Sequence, residues 1–174
     1  MKKHNNILKM VLAAMFLAIA YVLPFFTGQI PQIGSMLCPM HIPVLLCGFV
    51  CGWPWGLVVG FIAPILRSVV LGMPPMFPTA VCMAFELATY GAVAGLMYKV
   101  LPKKRLSVYG ALITAMVVGR IIWGIAMFVC MGATGGSFGL AAFVAGAVTN
   151  AVPGIIIQIV LIPIIVMMLD RYIR

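Results

Sequence analysis

The chain has 174 residues, of which 65% are hydrophobic and only 7% are charged. Soluble domains carry about 25% charged residues, so this composition excludes an ordinary soluble domain and leaves no room for a separate catalytic module. Several apolar runs approach the length of about 20 residues that a helix needs to cross a bilayer. The sequence therefore predicts an all-α integral membrane protein, with one transmembrane domain over residues 1–174.

The net charge of +9 comes from basic residues whose positions indicate membrane topology rather than a nucleic-acid-binding surface. Lys and Arg beside helix ends mark the cytoplasmic side of a membrane protein, and we expect no nucleic-acid partner. Nine of the eleven basic residues lie before the first apolar run, in one internal break or at the carboxyl end: Lys2, Lys3, Lys9, Lys99, Lys103, Lys104, Arg105, Arg171 and Arg174.

Six apolar segments are predicted to be helices. The first, at residues 7–26, continues past a possible cleavage site at Ala18–Ala20, which favours an uncleaved membrane helix over a secretory signal. The second is too short to cross a bilayer unaided, so it is either kinked and partly interfacial or lies where the protein is thin. The remaining predicted helices follow in chain order: 42–52 (the short second), 55–71, 79–98, 107–131 and 141–169.

Six crossings place every strongly basic segment in the cytoplasm together with both termini, as the positive-inside rule requires. The loops on the outer face are then residues 27–41, 72–78 and 132–138, and none of them carries a Lys, Arg, Asp or Glu. The first is the longest, and long loops in compact domains are commonly lids or disordered segments.

Three ionisable acid or base side chains lie within the predicted spans: Arg67, Glu86 and Arg120. Because charges at membrane depth are costly, such residues mark a functional site or a buried pair. Together with Asn150 they are predicted to converge, from four helices, on a pocket open to the outside. Their sum is one positive charge, which suits a small organic monoanion.

Structural roles compete with this interpretation. Arg67 can instead snorkel to the outer headgroups, and Glu86 can serve only to neutralise Arg120. His41, at the outer end of the second helix, either contacts the substrate or caps that helix. Gln158 lies deeper and is predicted to form a hydrogen bond between helices.

Neither a metal site nor an enzyme is expected. Cys38, His41, Cys47 and Cys51 have the residue types of a zinc site, but the last two fall inside an apolar helix, where Cys behaves as a small hydrophobic residue. The chain has no Walker A, GxSxG or HExxH motif and only two carboxylates. No cofactor is expected, and active uptake would need a partner or an ion gradient to supply energy.

Small residues recur at a spacing of four, which permits close helix approach. Ala14 and Ala18 form such a pair in the first helix, where they could face a partner. Four glycines around the junction of the second and third helices are predicted to pack internally: Gly48, Gly52, Gly56 and Gly60.

These features together resemble the S-components, the substrate-binding subunits of the energy-coupling factor (ECF) importers. The local match is the stretch PMHIPVLLCGF at 39–49 followed by GWPWG at 52–56, which is similar to the hairpin of the second and third helices in that family. The stretch from Gly72 to Ala80, with Glu86, most resembles the pantothenate group.

The resemblance implies a bacterial plasma-membrane protein that binds a vitamin from outside, beneath its first loop. It also implies docking on a transmembrane coupling subunit through the first helix, at Ala14 and Ala18, and toppling to release the vitamin, driven by two ATPase subunits. Residues predicted to contact the vitamin are those already singled out: Arg67, Glu86, Arg120, Asn150 and His41.

Pantothenate is the first predicted substrate, since it is a monoanion with hydroxyls and an amide. Pyridoxine, a thiamine precursor, riboflavin and a nucleobase-like compound stay open, and Trp123 and Tyr90 could contribute to a riboflavin site. A stand-alone ion-coupled transporter usually has repeated halves, and none is visible. A membrane enzyme of lipid metabolism would lack the acids it needs.

Overall fold

A computed structural model of the chain describes residues 2–27, 36–102, 105–136, 138–149 and 151–173. Most of these residues are helical, and there is no strand among them. A 3-10 turn at Leu23–Thr27 follows the first helix, and π turns lie at Met76–Ala80 and Ala145–Thr149. The α-helices are α1 (Lys2–Val22), α2 (His41–Cys51), α3 (Trp53–Leu71), α4 (Val81–Val100), α5 (Arg105–Ala133), α6 (Leu140–Val144) and α7 (Val152–Ile173).

Five segments of the described chain are long and apolar enough to cross a membrane by length and composition. The predicted all-helical, multi-pass membrane protein is therefore confirmed, whereas the count of six helices and the orientation of the termini stay predictions. The five segments are Asn6–Phe26, Trp53–Leu71, Met76–Val100, Leu106–Ala133 and Val152–Leu169.

The short helix α2 lies in the middle of the bundle. Nine of its eleven residues are buried, and it packs against α1, α3, α4 and α7. A helix that is apolar all round is a core helix, and Val44, Leu45 and Cys47 are fully enclosed. The alternative of a kinked, partly interfacial helix is therefore not what the structure shows.

Glycines bring α2 and α3 into backbone contact with α4, as their spacing predicts. A Cβ atom on Gly56 would lie 2.6 Å from the carbonyl oxygen of Gly91, and one on Gly48 or Gly60 would overlap the backbone of α4 in the same way. Gly52 differs, because it joins α2 to α3 with φ of 96°, a conformation that glycine adopts without a steric penalty.

The predicted continuous helix at 141–169 is wrong. The structure has the short α6, a π turn, and a new helix α7 that begins at Val152. Pro153 lies in the first turn of α7, where the missing N–H is not needed, whereas in the interior of a continuous helix it would remove a backbone hydrogen bond. The same preference places Pro54 inside the first turn of α3, which begins at Trp53 rather than Trp55.

Candidate functional site

A buried ion pair joins α4 and α5. Glu86 is 1% exposed, and its Oε1 lies 3.0 Å from Nη1 of Arg120, so the predicted pairing of these two residues is confirmed. The same oxygen lies 3.4 Å from Nε2 of His41, the first residue of α2. The structure thus brings three of the predicted site residues together.

Local sequence explains how these three helices meet. Tyr90 follows Glu86 by one helical turn and shares its face, and its ring packs edge-on against His41 with the centroids 5.2 Å apart. A Cβ atom on Gly119 would overlap the Tyr90 ring, so α5 approaches α4 closely only because residue 119 is glycine. The next residue, Arg120, is thereby brought to Glu86.

The residues just before α2 enter the bundle and contact the ion pair. The thiol of Cys38 is buried and lies 3.6 Å from Nη2 of Arg120, which donates to its sulfur. Burial raises the pKa of this thiol above its ordinary value, so a neutral thiol faces the guanidinium. Gly154 of α7 makes room for this segment, since a Cβ atom there would lie 2.7 Å from the Met36 carbonyl oxygen and 2.8 Å from that of Leu37.

Several polar atoms of this cluster have no hydrogen-bond partner within the described part of the chain. They are both ring nitrogens of His41 and Nε of Arg120, while Oε1 of Glu86 lies close to the Arg120 guanidinium but makes no well-aligned hydrogen bond. His41 is 3% exposed and makes no capping hydrogen bond at the start of α2. Buried polar groups are nearly always hydrogen-bonded, so these atoms are suited to bind polar groups of a substrate.

Arg67 has different contacts. It is 4% exposed, its Nη1 donates to the carbonyl oxygen of Tyr21 at 2.7 Å, and its guanidinium carbon lies 5.0 Å from the ring centroid of Phe25. A cation over an aromatic face is favourable. Arg67 therefore holds the end of α1 within the protein, rather than snorkelling away from it.

The glycine contacts show where Arg67 lies relative to the ion pair. Gly60 of α3 lies against the backbone of Leu87, next to Glu86, and α3 continues for seven residues to Arg67. At 1.5 Å per residue, Arg67 lies about 10 Å further along the bundle. The predicted convergence of Arg67 and the ion pair on one pocket stays a prediction, and the two lie at different levels along the bundle. Both lie toward the end where α3 finishes and α2 and α4 begin, which we call the site end.

Asn150 lies outside the described residues. Gln158 of α7 is 2% exposed, and its Oε1 has no hydrogen-bond partner in the described chain, so the hydrogen bond predicted for it is not seen at this atom.

A cluster of aromatic side chains lies beyond Arg120 along α5. Trp123 stacks on Phe143 with the centroids 6.3 Å apart and meets Phe138 edge-on at 5.8 Å.

The cysteines do not assemble into a metal centre where the structure describes them. No group of three or more His, Cys, Asp or Glu side chains among the described residues is arranged to hold a metal ion. The Cys47 and Cys51 side chains are buried in α2, and no disulfide joins the described cysteines.

The predicted docking pair lies on the surface. Ala14 and Ala18 are exposed and line an apolar groove of about 370 Å³ between α1 and α3. The groove continues to Tyr21 at one end of α1, and Leu66 and Val70 form its α3 side.

The sequence model of one protein family, described as "ECF transporter, substrate-specific component", matches residues 8–166. The match begins in α1 and ends in α7, so it includes the ion pair, Arg67 and the groove between α1 and α3. No curated protein and no solved structure matches the chain significantly.

Proposed function

The chain belongs to the family of ECF transporter substrate-specific components, and we propose that it captures a small vitamin, with pantothenate as the first candidate. Subunits of this family bind a small substrate in the membrane and associate with a coupling subunit and ATPases. They are transporter subunits rather than enzymes. For this chain we propose the identity of the vitamin, the residues that contact it and the surface that docks on the coupling subunit.

The observation that carries the proposal is the buried cluster of His41, Glu86 and Arg120. Three helices meet there around an ion pair, and both ring nitrogens of His41 and Nε of Arg120 have no hydrogen-bond partner among the described residues, although Nε2 of His41 lies 3.4 Å from Oε1 of Glu86. The segment that precedes α2 contacts this cluster through Cys38. Hydroxyl and amide groups of a vitamin beneath this segment would supply the missing hydrogen bonds.

Charge supports a monoanion. Glu86 neutralises Arg120, and Arg67 has no acidic partner in the described chain, so one positive charge is left over at the site end. A guanidinium has five N–H donors, and the hydrogen bond to Tyr21 uses one of them. Arg67 can therefore bind a carboxylate, for which its planar fork is suited, while Asn150 contributes polar contacts.

A flat aromatic vitamin is the second candidate, with riboflavin, pyridoxine and a thiamine precursor as examples. Trp123 and Phe143 support it, because their rings stack one helical turn beyond Arg120. Stacking on such a group stabilises a planar ring by about 0.5–1.5 kcal/mol beyond the buried area.

We propose that the groove floored by Ala14 and Ala18 docks on the coupling subunit, which then topples the protein to release the vitamin inside. Small residues let a partner helix approach closely, and the groove lining is apolar. The two ATPase subunits supply the energy, and lipid surrounds the remaining apolar faces.

The proposed orientation has both termini in the cytoplasm of a bacterial cell, which puts the site end outside. Single cysteines introduced at residue 104 and, as the control, at Gly132 test it through labelling of intact cells by a membrane-impermeant maleimide, in a variant without the native cysteines. We expect labelling at 132 only. Labelling at 104 from outside would refute the topology.

The substrate is tested by denaturing protein purified from cells and identifying the released compound by mass spectrometry, followed by calorimetry with pantothenate. His41→Phe is the companion variant, because it keeps the ring against Tyr90 and removes only the nitrogens. We expect pantothenate to be released and its affinity to fall about tenfold in this variant, the effect of one lost hydrogen bond. Release of a flat aromatic compound, with no heat from pantothenate, would instead establish the second candidate.

A further inference from the structure

A second buried polar group without a partner lies on α7, apart from the ion pair. Gln158 is 2% exposed, and Oε1 of its carboxamide has no hydrogen-bond partner in the described part of the chain. Among the residues whose side chains the structure describes, the other buried positions on this helix face are apolar: Ala151, Gly154 and Ile162. An unpaired buried carbonyl destabilises a folded protein, so a glutamine at this position calls for a compensating role.

The helix face that carries Gln158 packs inward, beside the segment that precedes α2. Gly154, one turn earlier on the same face, lies against the carbonyl groups of Met36 and Leu37, a few residues before His41. Helix α7 packs against α2 and α5, which are the helices that carry His41 and Arg120. Gln158 therefore lies one turn, or about 5.4 Å, deeper than the segment that precedes α2.

From this placement we propose that Gln158 determines substrate specificity by accepting a hydrogen bond from an N–H or O–H group of the bound vitamin. The inference rests on the proposed function, and it adds a substrate class to it. The carboxamide oxygen accepts hydrogen bonds from N–H and O–H groups, so a substrate that presents an amide N–H or a hydroxyl to α7 would pair with it. Its anionic group, if it has one, binds elsewhere, toward Arg67.

A structural role makes the opposite prediction for stability. If Gln158 joined two helices by a hydrogen bond, its replacement by an apolar residue of similar length would lower the melting temperature of the substrate-free protein. If Oε1 is held for the substrate, the same replacement removes an unpaired buried carbonyl. The substrate-free protein then melts at the same temperature or higher, while the affinity falls.

The test compares purified wild-type, Gln158→Met and Ile162→Met full-length proteins in detergent. Melting of the substrate-free protein is followed by intrinsic fluorescence, and pantothenate binding is measured by calorimetry. We expect Gln158→Met to lose about tenfold in affinity, the effect of one neutral hydrogen bond, without a lower melting temperature. Ile162→Met, which lies one turn along the same buried face, should leave the affinity unchanged.

Any other result for Gln158→Met overturns the inference, whether the affinity is unchanged or the melting temperature falls. If His41→Phe weakens pantothenate binding while Gln158→Met does not, the proposed function stands and this inference fails. If wild-type protein does not bind pantothenate, the proposed vitamin is wrong. The melting temperature of Gln158→Met then decides the inference alone, with a decrease refuting it and an increase supporting it.

Discussion

Removing one partner of the Glu86–Arg120 pair should leave the other charge buried and uncompensated. Arg120→Gln does this to Glu86, and Glu86→Gln does it to Arg120, with little change of side-chain size. In the double variant both charges are gone, and two neutral amides that can bond to each other remain. These three proteins and the wild type form a double-mutant cycle.

The structure sets the expected size of the effect. With 3.0 Å between the nitrogen and the oxygen, the attraction is about 5.5 kcal/mol at an effective dielectric constant of about 20. Measured losses on breaking a buried pair are about 3–5 kcal/mol. The lower end is expected here, because the Arg120 side chain is 15% exposed and because His41 remains close to Glu86 in Arg120→Gln.

The double variant should lie within about 2 kcal/mol of the wild type, since replacing both members of a buried pair is often nearly neutral. For a chain of 174 residues, a loss of about 3–5 kcal/mol lowers the melting temperature by about 6–20 °C. Fluorescence-detected melting of the substrate-free proteins, together with the yield of folded protein, gives the readout.

Two results would refute the reasoning. One is a single variant with the same melting temperature as the wild type, which would mean that the two charges are not shielded from water. The other is a double variant whose loss equals the sum of the two single losses, which would mean that the residues do not interact.

Replacing both Ala14 and Ala18 with Trp should abolish uptake by the assembled transporter, because bulky residues block close helix approach. Pantothenate binding by the isolated subunit should stay intact. Normal uptake by the double variant would show that this groove is not the docking surface. Arg67→Gln should weaken pantothenate binding, measured by calorimetry, by about 1.5–3 kcal/mol, the value of a charged hydrogen bond. The affinity for a neutral alcohol analogue of pantothenate should change little. Equal losses of affinity for the two compounds would exclude a carboxylate contact. In melting experiments, Gly91→Ala should destabilise the protein by about 3 kcal/mol or more, since its Cβ would overlap the backbone of α3. The control Gly132→Ala, which has open space around it, should have a stability within about 0.5 kcal/mol of the wild type. Equal melting temperatures of the two variants would contradict the packing.

The ion pair could be predicted from the sequence because charged residues are rare within membrane-spanning segments. Glu86 is the one acidic residue within the predicted spans, so a deep Arg120 has a single available partner. The internal packing of Gly56 and Gly60 was equally readable from their spacing, whereas their partner helix, α4, became clear only from the structure. Pro153 was present as a signal for the break before α7, and the apolar run around it obscured that signal.

Other parts of the site depend on contacts that exist only after folding. The acceptor for Arg67 is the backbone carbonyl of Tyr21, and every residue has such a carbonyl, so no side-chain pattern identifies it. Phe138 and Phe143 meet Trp123 from a region without regular periodicity. The unpaired oxygen of Gln158 is likewise a property of its surroundings, since the residue type alone suggested a hydrogen bond to another helix.

The backbone contacts at Gly56 and Gly91 distribute stiffness unevenly through the molecule. Where two main chains touch, no rotamer change can take up a displacement, so α2, α3 and α4 behave as one rigid block. Across the other boundary of the site, the contacts of α5 and α6 are made by rings, with Tyr90 against Gly119 and Phe143 against Gly124. Because side chains can change rotamer where main chains in contact cannot, we expect the boundary between α4 and α5 to yield more easily than the boundary between α3 and α4.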